Sequence, residues 1–212
     1  MIEMQKKTVL VLAPHTDDGE LGCGGTISKL LRQGNTVHYV AFSTCRESVP
    51  NGFRQTILAE ELKRATATLG IAPEHVQILD YQVRHFPEHR QEILDDMIVI
   101  GREVNPDLVF IPSPHDIHQD HTTIAQEAMR AFKKTRLLGY ELPWNNYTFN
   151  NQAFSVLELE DVEKKIRALA CYESQQGRTY FQADYLKGIC LAHGVQVGRE
   201  YAEVFETVRW LF

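Results

Sequence analysis

Four cysteines in 212 residues, none in a Cys-x-x-Cys pair, are too few and too scattered for the disulfide framework of a small secreted domain. Cys23, Cys45, Cys171 and Cys190 read as free thiols of a reducing, cytoplasmic setting. No stretch approaches the roughly 18 apolar residues that a membrane span requires, so no membrane insertion is expected. The apolar run 8–13 is short for a signal-peptide core and is followed at once by Asp17, Asp18 and Glu20. Basic charge is also scarce. Lys plus Arg total 22 against 28 for Asp plus Glu, and this net −6 argues against a nucleic-acid partner, which demands a clustered basic surface. There is no repeat, low-complexity tract or linker, so 1–212 reads as a single domain whose last third is a C-terminal extension. What the sequence does have is histidine: nine in all, with His115, His118 and His121 inside seven positions.

Short apolar runs alternate with longer amphipathic ones. Strands are expected over 8–13, 36–43, 76–79, 107–112 and 136–141, because these short runs are nearly all apolar, that over 36–43 being rich in β-branched and aromatic residues. A helix passes through Thr26 to Leu31 and stops at Gly34. A second carries Leu58, Leu62, Ala65 and Leu69 and is closed by Gly70. A third, through Ile93, Leu94, Met97 and Ile98, ends at Asn105-Pro106, and a fourth covers 123–132. After Glu141 the alternation weakens into a polar, aromatic loop over 142–152, one more helix through Val162, Ile166 and Leu169, and a closing strand over 202–211. The expected fold class is α/β, Rossmann-like: a mostly parallel twisted sheet with helices on both faces.

Two polar clusters begin where strands stop. Ala13-Pro14-His15-Thr16-Asp17-Asp18-Gly19-Glu20 follows the first strand, and His115-Asp116-Ile117-His118-Gln119-Asp120-His121 follows the fourth. Ligand sites of open parallel sheets form outside the carboxyl ends of the strands, so the two clusters can converge across a hundred residues of sequence. Zinc takes imidazole nitrogens and carboxylate oxygens, and a catalytic site keeps three protein ligands and one open position. His15 and Asp18 can reach one ion across a turn, and His121 can complete the set. Asp17 is then a spare carboxylate where a general base is needed. His118 can face a developing oxyanion or a leaving amine, and Asp120 can orient one of the imidazoles. A plainer reading is also open: one of Asp17 and Asp18 can simply cap the following helix. The Gly22-Cys23-Gly24-Gly25 run is a poor dinucleotide fingerprint, since Ile27 stands where a glycine is required, and it reads better as close helix-on-strand packing.

The first cluster, the following Leu-Gly-Cys-Gly-Gly, the His-Gln-Asp-His of the second, Tyr172-Glu173-Ser174-Gln175 and the run 198–205 resemble the LmbE-like, or PIG-L, de-N-acetylase family. The resemblance spans essentially the whole chain. It implies a Rossmann-like, zinc-dependent amidase with one Zn2+ per chain that removes acetyl from an N-acetylglucosamine-type conjugate. By the same resemblance His15, Asp18 and His121 fall on the metal ligands and Asp17 on the general base. His118 falls on the oxyanion-stabilising imidazole, and Asp120 on the aspartate that tunes it. Three positions depart from the family pattern. Thr16 replaces a common proline, no Arg-x-x-Glu pattern surrounds Glu60 and Glu61, and His193 stands before Gly194 where a basic residue is usual.

Substrate contacts are expected from loops. Trp144 and Asn145 pair an aromatic face with an amide, which suits a sugar ring, although Trp144 can equally anchor its loop on the core. Arg54, one turn before Glu60 and Glu61, can bind an anionic group. The partner is therefore a small N-acetylated sugar or glycoconjugate, with a homo-oligomer possible. Two rival readings are a metal-dependent hydrolase of another bond, such as a phosphoester with Asp116 and Asp120 bridging two ions, and a non-catalytic sugar-binding protein.

Overall fold

The computed structural model describes residues 6–211. β1 (Thr8–Ala13) lies in the middle of the sheet, with every residue after Thr8 buried. Its side chains split by the period of two that a strand imposes. Val9, Val11 and Ala13 enter one hydrophobic layer, and Leu10 and Leu12 enter the other. Burial on both sides explains why the run is apolar throughout and does not alternate with polar residues; each Val or Leu so buried contributes about 1.5–3 kcal/mol.

The chain then builds outward. α1 (Asp18–Arg32) leads to β2 (Thr36–Ala41), α2 (Ile57–Leu69) to β3 (Val76–Ile78), and α3 (Arg90–Val104) to β4 (Leu108–Pro112). α4 (Gln119–Ala131) and β5 (Arg136–Tyr140) complete the regular alternation. The helix stops legible in the sequence are real: Gly70 takes a left-handed φ of 97° after α2, and Asn105, at φ 46°, ends α3 before Pro106. The first layer receives α1 and α2, the second α3 and α4.

The last third adds β6 (Ala153–Leu157), α5 (Leu159–Ala170), α6 (Ala183–Gln196) and β7 (Tyr201–Arg209). All seven strands form one sheet in the order β3-β2-β1-β4-β5-β7-β6. The pairs β1–β2, β2–β3, β1–β4 and β4–β5 are parallel, while β5–β7 and β6–β7 are antiparallel. The extension therefore closes one edge of the parallel sheet. The order reverses between β1 and β4, so the crevice outside their carboxyl ends is where a ligand site is expected.

Four elements start or lie where the sequence pattern did not put them. α1 begins at Asp18, eight residues before the amphipathic stretch, and includes a non-helical Cys23 (φ −143°). α4 begins at Gln119, so Asp120 and His121 stand on its first turn and not in a loop. β6 and α6 carry no clear period. The exposed Leu191 and Val195 of α6 sit beside the buried Leu186 and Cys190, which blurs any apolar stripe. The glycines of α1 do serve close packing. A Cβ on Gly22 would lie 2.3 Å from the Tyr140 ring, and one on Gly25 would lie 2.6 Å from Leu157.

Candidate metal centre and cleft

A cleft of about 300 Å³ opens at the carboxyl edge of β1 and β4, lined by residues of both polar clusters and of the C-terminal third. The turn after β1 supplies His15, Asp17 and Asp18. The turn after β4 and the start of α4 supply His118 and His121.

Three atoms meet at the inner corner. His15 Nδ1 lies 3.0 Å from His121 Nε2, and Asp18 Oδ2 lies 3.2 Å from each of them. The far nitrogens of both rings are held by carboxylates: His15 Nε2 is 3.0 Å from Asp120 Oδ2, and His121 Nδ1 is 2.7 Å from Asp116 Oδ2. With the ring protons donated to those carboxylates, the nitrogens that face Asp18 present lone pairs. Two lone pairs and a carboxylate oxygen at such spacing repel one another unless positive charge lies among them. The edges of this triangle are close to those of a zinc tetrahedron, about 3.3 Å for bonds of about 2.0–2.1 Å. A carboxylate behind each imidazole is also the arrangement that fixes ligand orientation in zinc sites. The donor set fits a divalent cation.

Electrostatics agree with the geometry. Burial disfavours the charged forms of His15 and His121, but Asp18, with Asp120 for His15 and Asp116 for His121, overcomes it. Both pKa values rise, that of His121 to about 10. Burial likewise works against an ionised Asp18, yet the two imidazoles hold its carboxyl well below the usual range. The corner therefore draws in positive charge, a proton or a metal. Asp17, next in sequence, goes the other way: burial and then the charge of Asp18 push it up to about 6. Asp17 is the residue before the first turn of α1 but makes no side-chain cap, and Asp18 Oδ2 instead accepts the His15 backbone N–H at 2.8 Å. Helix capping thus explains neither carboxylate.

His118 also offers a nitrogen within 4.8 Å of those of His15 and His121, so three histidines could share an ion. The Asp18 oxygen is nearer to both, and His118 is already engaged: its Nδ1 accepts the Asp120 backbone N–H at 3.2 Å as the cap of α4. The ring proton is then on Nε2. Burial, followed by the charges of His121 and His15, lowers its pKa to about 4, so the ring is a neutral donor.

The Asp120 carboxylate lies closer to His15 than to His118, the ring with which the family resemblance pairs it. Its Oδ2 is 3.0 Å from His15 but 4.0 Å from His118 Nδ1, and it also accepts the backbone N–H of Arg84. The reason is α4, whose first turn carries Asp120 inward beneath His15. Asp116 takes the equivalent place behind His121 and also accepts the His118 backbone N–H at 2.7 Å. Neither carboxylate is left to bridge two ions.

Of the loop residues, Trp144 and Asn145 line the cleft. Trp144 stacks on Tyr180, with centroids 4.0 Å apart at 14°, so one face of its ring is already covered. Arg54 is not brought to the cleft. It is exposed, lies in the loop before α2, and pairs with Glu60 on the first turn of that helix at 2.7 Å. The cleft contains Arg84, Gln175, Arg178 and Tyr180 instead; of these the sequence named only Gln175, and only as part of a family motif. The buried Glu61 accepts both the backbone N–H and the hydroxyl of Ser174, which seats the turn bearing Gln175. The remaining histidines lie outside the cleft lining. His115 pairs with Glu206 at 2.9 Å, His193 lies 3.2 Å from Glu141, His38 stacks on His75, and His85 and His89 pair with Glu88 and Glu92.

A profile of the GlcNAc-PI de-N-acetylase (PIG-L) family matches residues 10–132, more than half of the chain and the segment that holds both clusters. The diacetylchitobiose deacetylase of Thermococcus kodakarensis is 26% identical over 97% of this chain and 85% of its own. Among solved structures, the N,N'-diacetylchitobiose deacetylase of Pyrococcus horikoshii shares the fold with a TM-score of 0.76 at 23% identity, covering 94% of this chain and 83% of that one. GalB of Pseudomonas putida, a 4-carboxy-2-hydroxymuconate hydratase, shares it with a TM-score of 0.77 at 20% identity, over 97% and 98% of the two chains.

Proposed function

The chain belongs to the PIG-L family, and from that premise we propose that it is a zinc-dependent deacetylase of an N-acetylated sugar conjugate, acting as one domain over its whole length. The observation that carries this reading is the triangle of His15 Nδ1, Asp18 Oδ2 and His121 Nε2, with carboxylates behind both imidazoles and two further groups, the Asp17 carboxyl and the Nε2 side of the His118 ring, left uncommitted beside it. These three residues would hold one Zn2+. When bound, such an ion polarises the amide carbonyl and lowers the pKa of a nearby water.

The chain's own residues supply the rest. The Asp17 side chain makes no cap hydrogen bond to α1 and lines the cleft, and it takes the proton of the attacking water as the oxygen–carbon bond forms. His118 donates its Nε2 proton in a hydrogen bond to the carbonyl oxygen as negative charge develops there, a contribution worth about 3–4 kcal/mol for a single well-placed donor. Asp17 then returns its proton to the nitrogen as the carbon–nitrogen bond breaks, giving acetate and a free amine. Asp120 and Asp116 keep His15 and His121 in the orientation and tautomer this requires. Three protein ligands leave a position open to substrate, which favours this reading over a closed, structural metal site in a sugar-binding protein.

The test is acetate release from a panel of N-acetylated sugars by zinc-loaded protein, before and after removal of the metal by chelation. Release that disappears with the metal and returns with it supports the reading. Release unaffected by chelation, or none from any sugar, contradicts it.

A further inference from the structure

Glu20 is a carboxyl that the proposed chemistry does not use. It stands on the first turn of α1 and is wholly buried. Its side chain meets two tyrosine hydroxyls, Tyr39 at Oε2 and Tyr172 at Oε1, the latter at 3.0 Å, and no cation is among these partners. A carboxyl taken out of water without a cation is costly, and an aliphatic side chain of similar size would fill the place without that cost. Both tyrosines are as deeply buried as Glu20 and lie outside the cleft lining. They come from distant parts of the chain: Tyr39 from β2, and Tyr172 from the turn after α5 that leads to Gln175.

Both hydroxyls also converge on one backbone group, the Thr16 carbonyl, Tyr172 at 2.6 Å and Tyr39 at 3.2 Å. Each phenol has a single proton to give. The nearer acceptor of Tyr172 is Thr16 and that of Tyr39 is Glu20, so Tyr172 holds the carbonyl and Tyr39 seats the carboxyl. The Gly19 N–H donates to the Tyr39 oxygen at 3.1 Å, and a Cβ on Gly19 would lie 2.5 Å from the Tyr39 ring, so this phenol is built tightly against the start of α1. The Thr16 carbonyl belongs to the peptide that leads into Asp17. The three ligand residues have tethers of their own: Asp120 for His15, Asp116 for His121, and the His15 backbone N–H for Asp18. The Asp17 side chain makes no cap, and the direction of its carboxyl follows from its backbone. That backbone is held at the Thr16 carbonyl before it and at its own carbonyl, which accepts the Leu21 N–H at 3.0 Å.

We infer that Tyr172, with Glu20 and Tyr39 behind it, is a positioning residue for Asp17: its hydroxyl fixes the Thr16–Asp17 peptide and so aims the Asp17 carboxyl into the cleft. The inference rests on the deacetylase reading for the role of Asp17, but not for the geometry. Glu20 acts one step further back, through the two hydroxyls. A misplacement of about 1 Å in a reacting group can cost on the order of 100-fold in rate, so a phenol that never meets substrate can control turnover.

The experiment compares zinc-loaded wild type with Tyr172→Phe, Glu20→Leu and Glu20→Gln, with thermal melting to check that each is folded. Acetate release from N,N'-diacetylchitobiose gives kcat and KM, and chelator competition gives zinc affinity. Crystal structures of zinc-loaded wild type and Tyr172→Phe give the direction of the Asp17 carboxyl. Tyr172→Phe removes one hydroxyl and nothing else. It should lower kcat by roughly 10- to 100-fold while KM and zinc affinity stay within about two-fold. In its structure the Asp17 carboxyl should be turned from its wild-type direction, with His15, Asp18 and His121 unmoved. Glu20→Leu should follow it, whereas Glu20→Gln, whose amide can still meet both hydroxyls, should keep kcat within about three-fold. If Glu20→Leu does not fold, the other two variants carry the comparison. An unchanged kcat in Tyr172→Phe overturns the inference. A fall in kcat matched by an equal fall in zinc affinity also overturns it, because that is the mark of a purely structural role. Should the wild type release no acetate from any N-acetylated sugar, the deacetylase reading fails and the paired crystal structures still decide the positioning. An Asp17 carboxyl that superposes in the two structures overturns it.

Discussion

Asp17 and Asp18 are neighbours in sequence whose surroundings differ enough to give them different chemistry. Asp18 is held ionised by two imidazoles, whereas Asp17 lines the cleft with its pKa raised by burial and by Asp18 itself. Replacing Asp17 by Asn should leave one metal per chain and cut acetate release by about 10²–10⁴-fold, the usual scale for a general base. Metal analysis together with turnover of the same sample checks this, and full activity would remove Asp17 from that role. Replacing Asp116 by Asn should leave the ligands in place but weaken zinc affinity by about 10–100-fold, through loss of the carboxylate that orients His121. A chelator competition titration reads that shift, and unchanged affinity would mean that Asp116 serves only the loop. Asp17, Asp18 and the histidines were legible in the sequence because imidazoles and carboxylates clustered at strand ends are residue types with a narrow chemistry. Asp116 was visible only as a spare acid: a carboxylate five residues before a histidine is not a pattern until the loop after β4 folds it back against His121 on the first turn of α4.

At the scale of elements, α1 shows how the C-terminal third supports the site. Cys23 breaks the helical backbone, and the N–H groups that its second half exposes at Gly25 and Thr26 are bound by Glu203 of β7 at 3.0 and 2.6 Å. Lys165 of α5 completes the arrangement, 2.7 Å from Glu203 and 2.7 Å from the Leu21 carbonyl. Glu203→Ala would leave Lys165 buried and unpaired as well as two helix N–H groups without acceptors, and should destabilise by about 3–5 kcal/mol. The denaturant midpoint measures it; a change below about 1 kcal/mol would show that water substitutes for the carboxylate. β1, β4 and β5 were readable because a strand buried on both faces must be almost wholly apolar, whereas the edge strand β3, with Gln77 exposed, was readable from its β-branched Val76 and Ile78. β6 was not, because all of its residues but Leu157 are only partly buried. α6 was not, because apolar residues lie on both its buried and its exposed sides. Arg54 failed as a cleft residue for a local reason: Glu60, six residues on, lies within reach of its guanidinium.

For the whole molecule, the sheet order places two clusters a hundred residues apart at one crevice, and the C-terminal third supplies part of the cleft's wall through Trp144, Asn145, Gln175, Arg178 and Tyr180. No helix of the described residues is long and apolar enough to cross a membrane. The same architecture also carries a hydratase, so the fold alone does not decide the reaction and the corner must. Because the ligands converge only in the folded chain, zinc should stabilise it: at a free concentration 100 times Kd, one site adds about 2.7 kcal/mol. Thermal melting with and without chelator follows this, and an unchanged midpoint would mean no such site. The most direct measurement is a crystal structure of zinc-loaded protein with anomalous data at the zinc edge. One peak per chain, bonded to His15 Nδ1, Asp18 and His121 Nε2 with His118 and Asp17 unbonded, is the predicted result; a peak bonded to His118 in place of Asp18, or two peaks sharing Asp116 or Asp120, would contradict it.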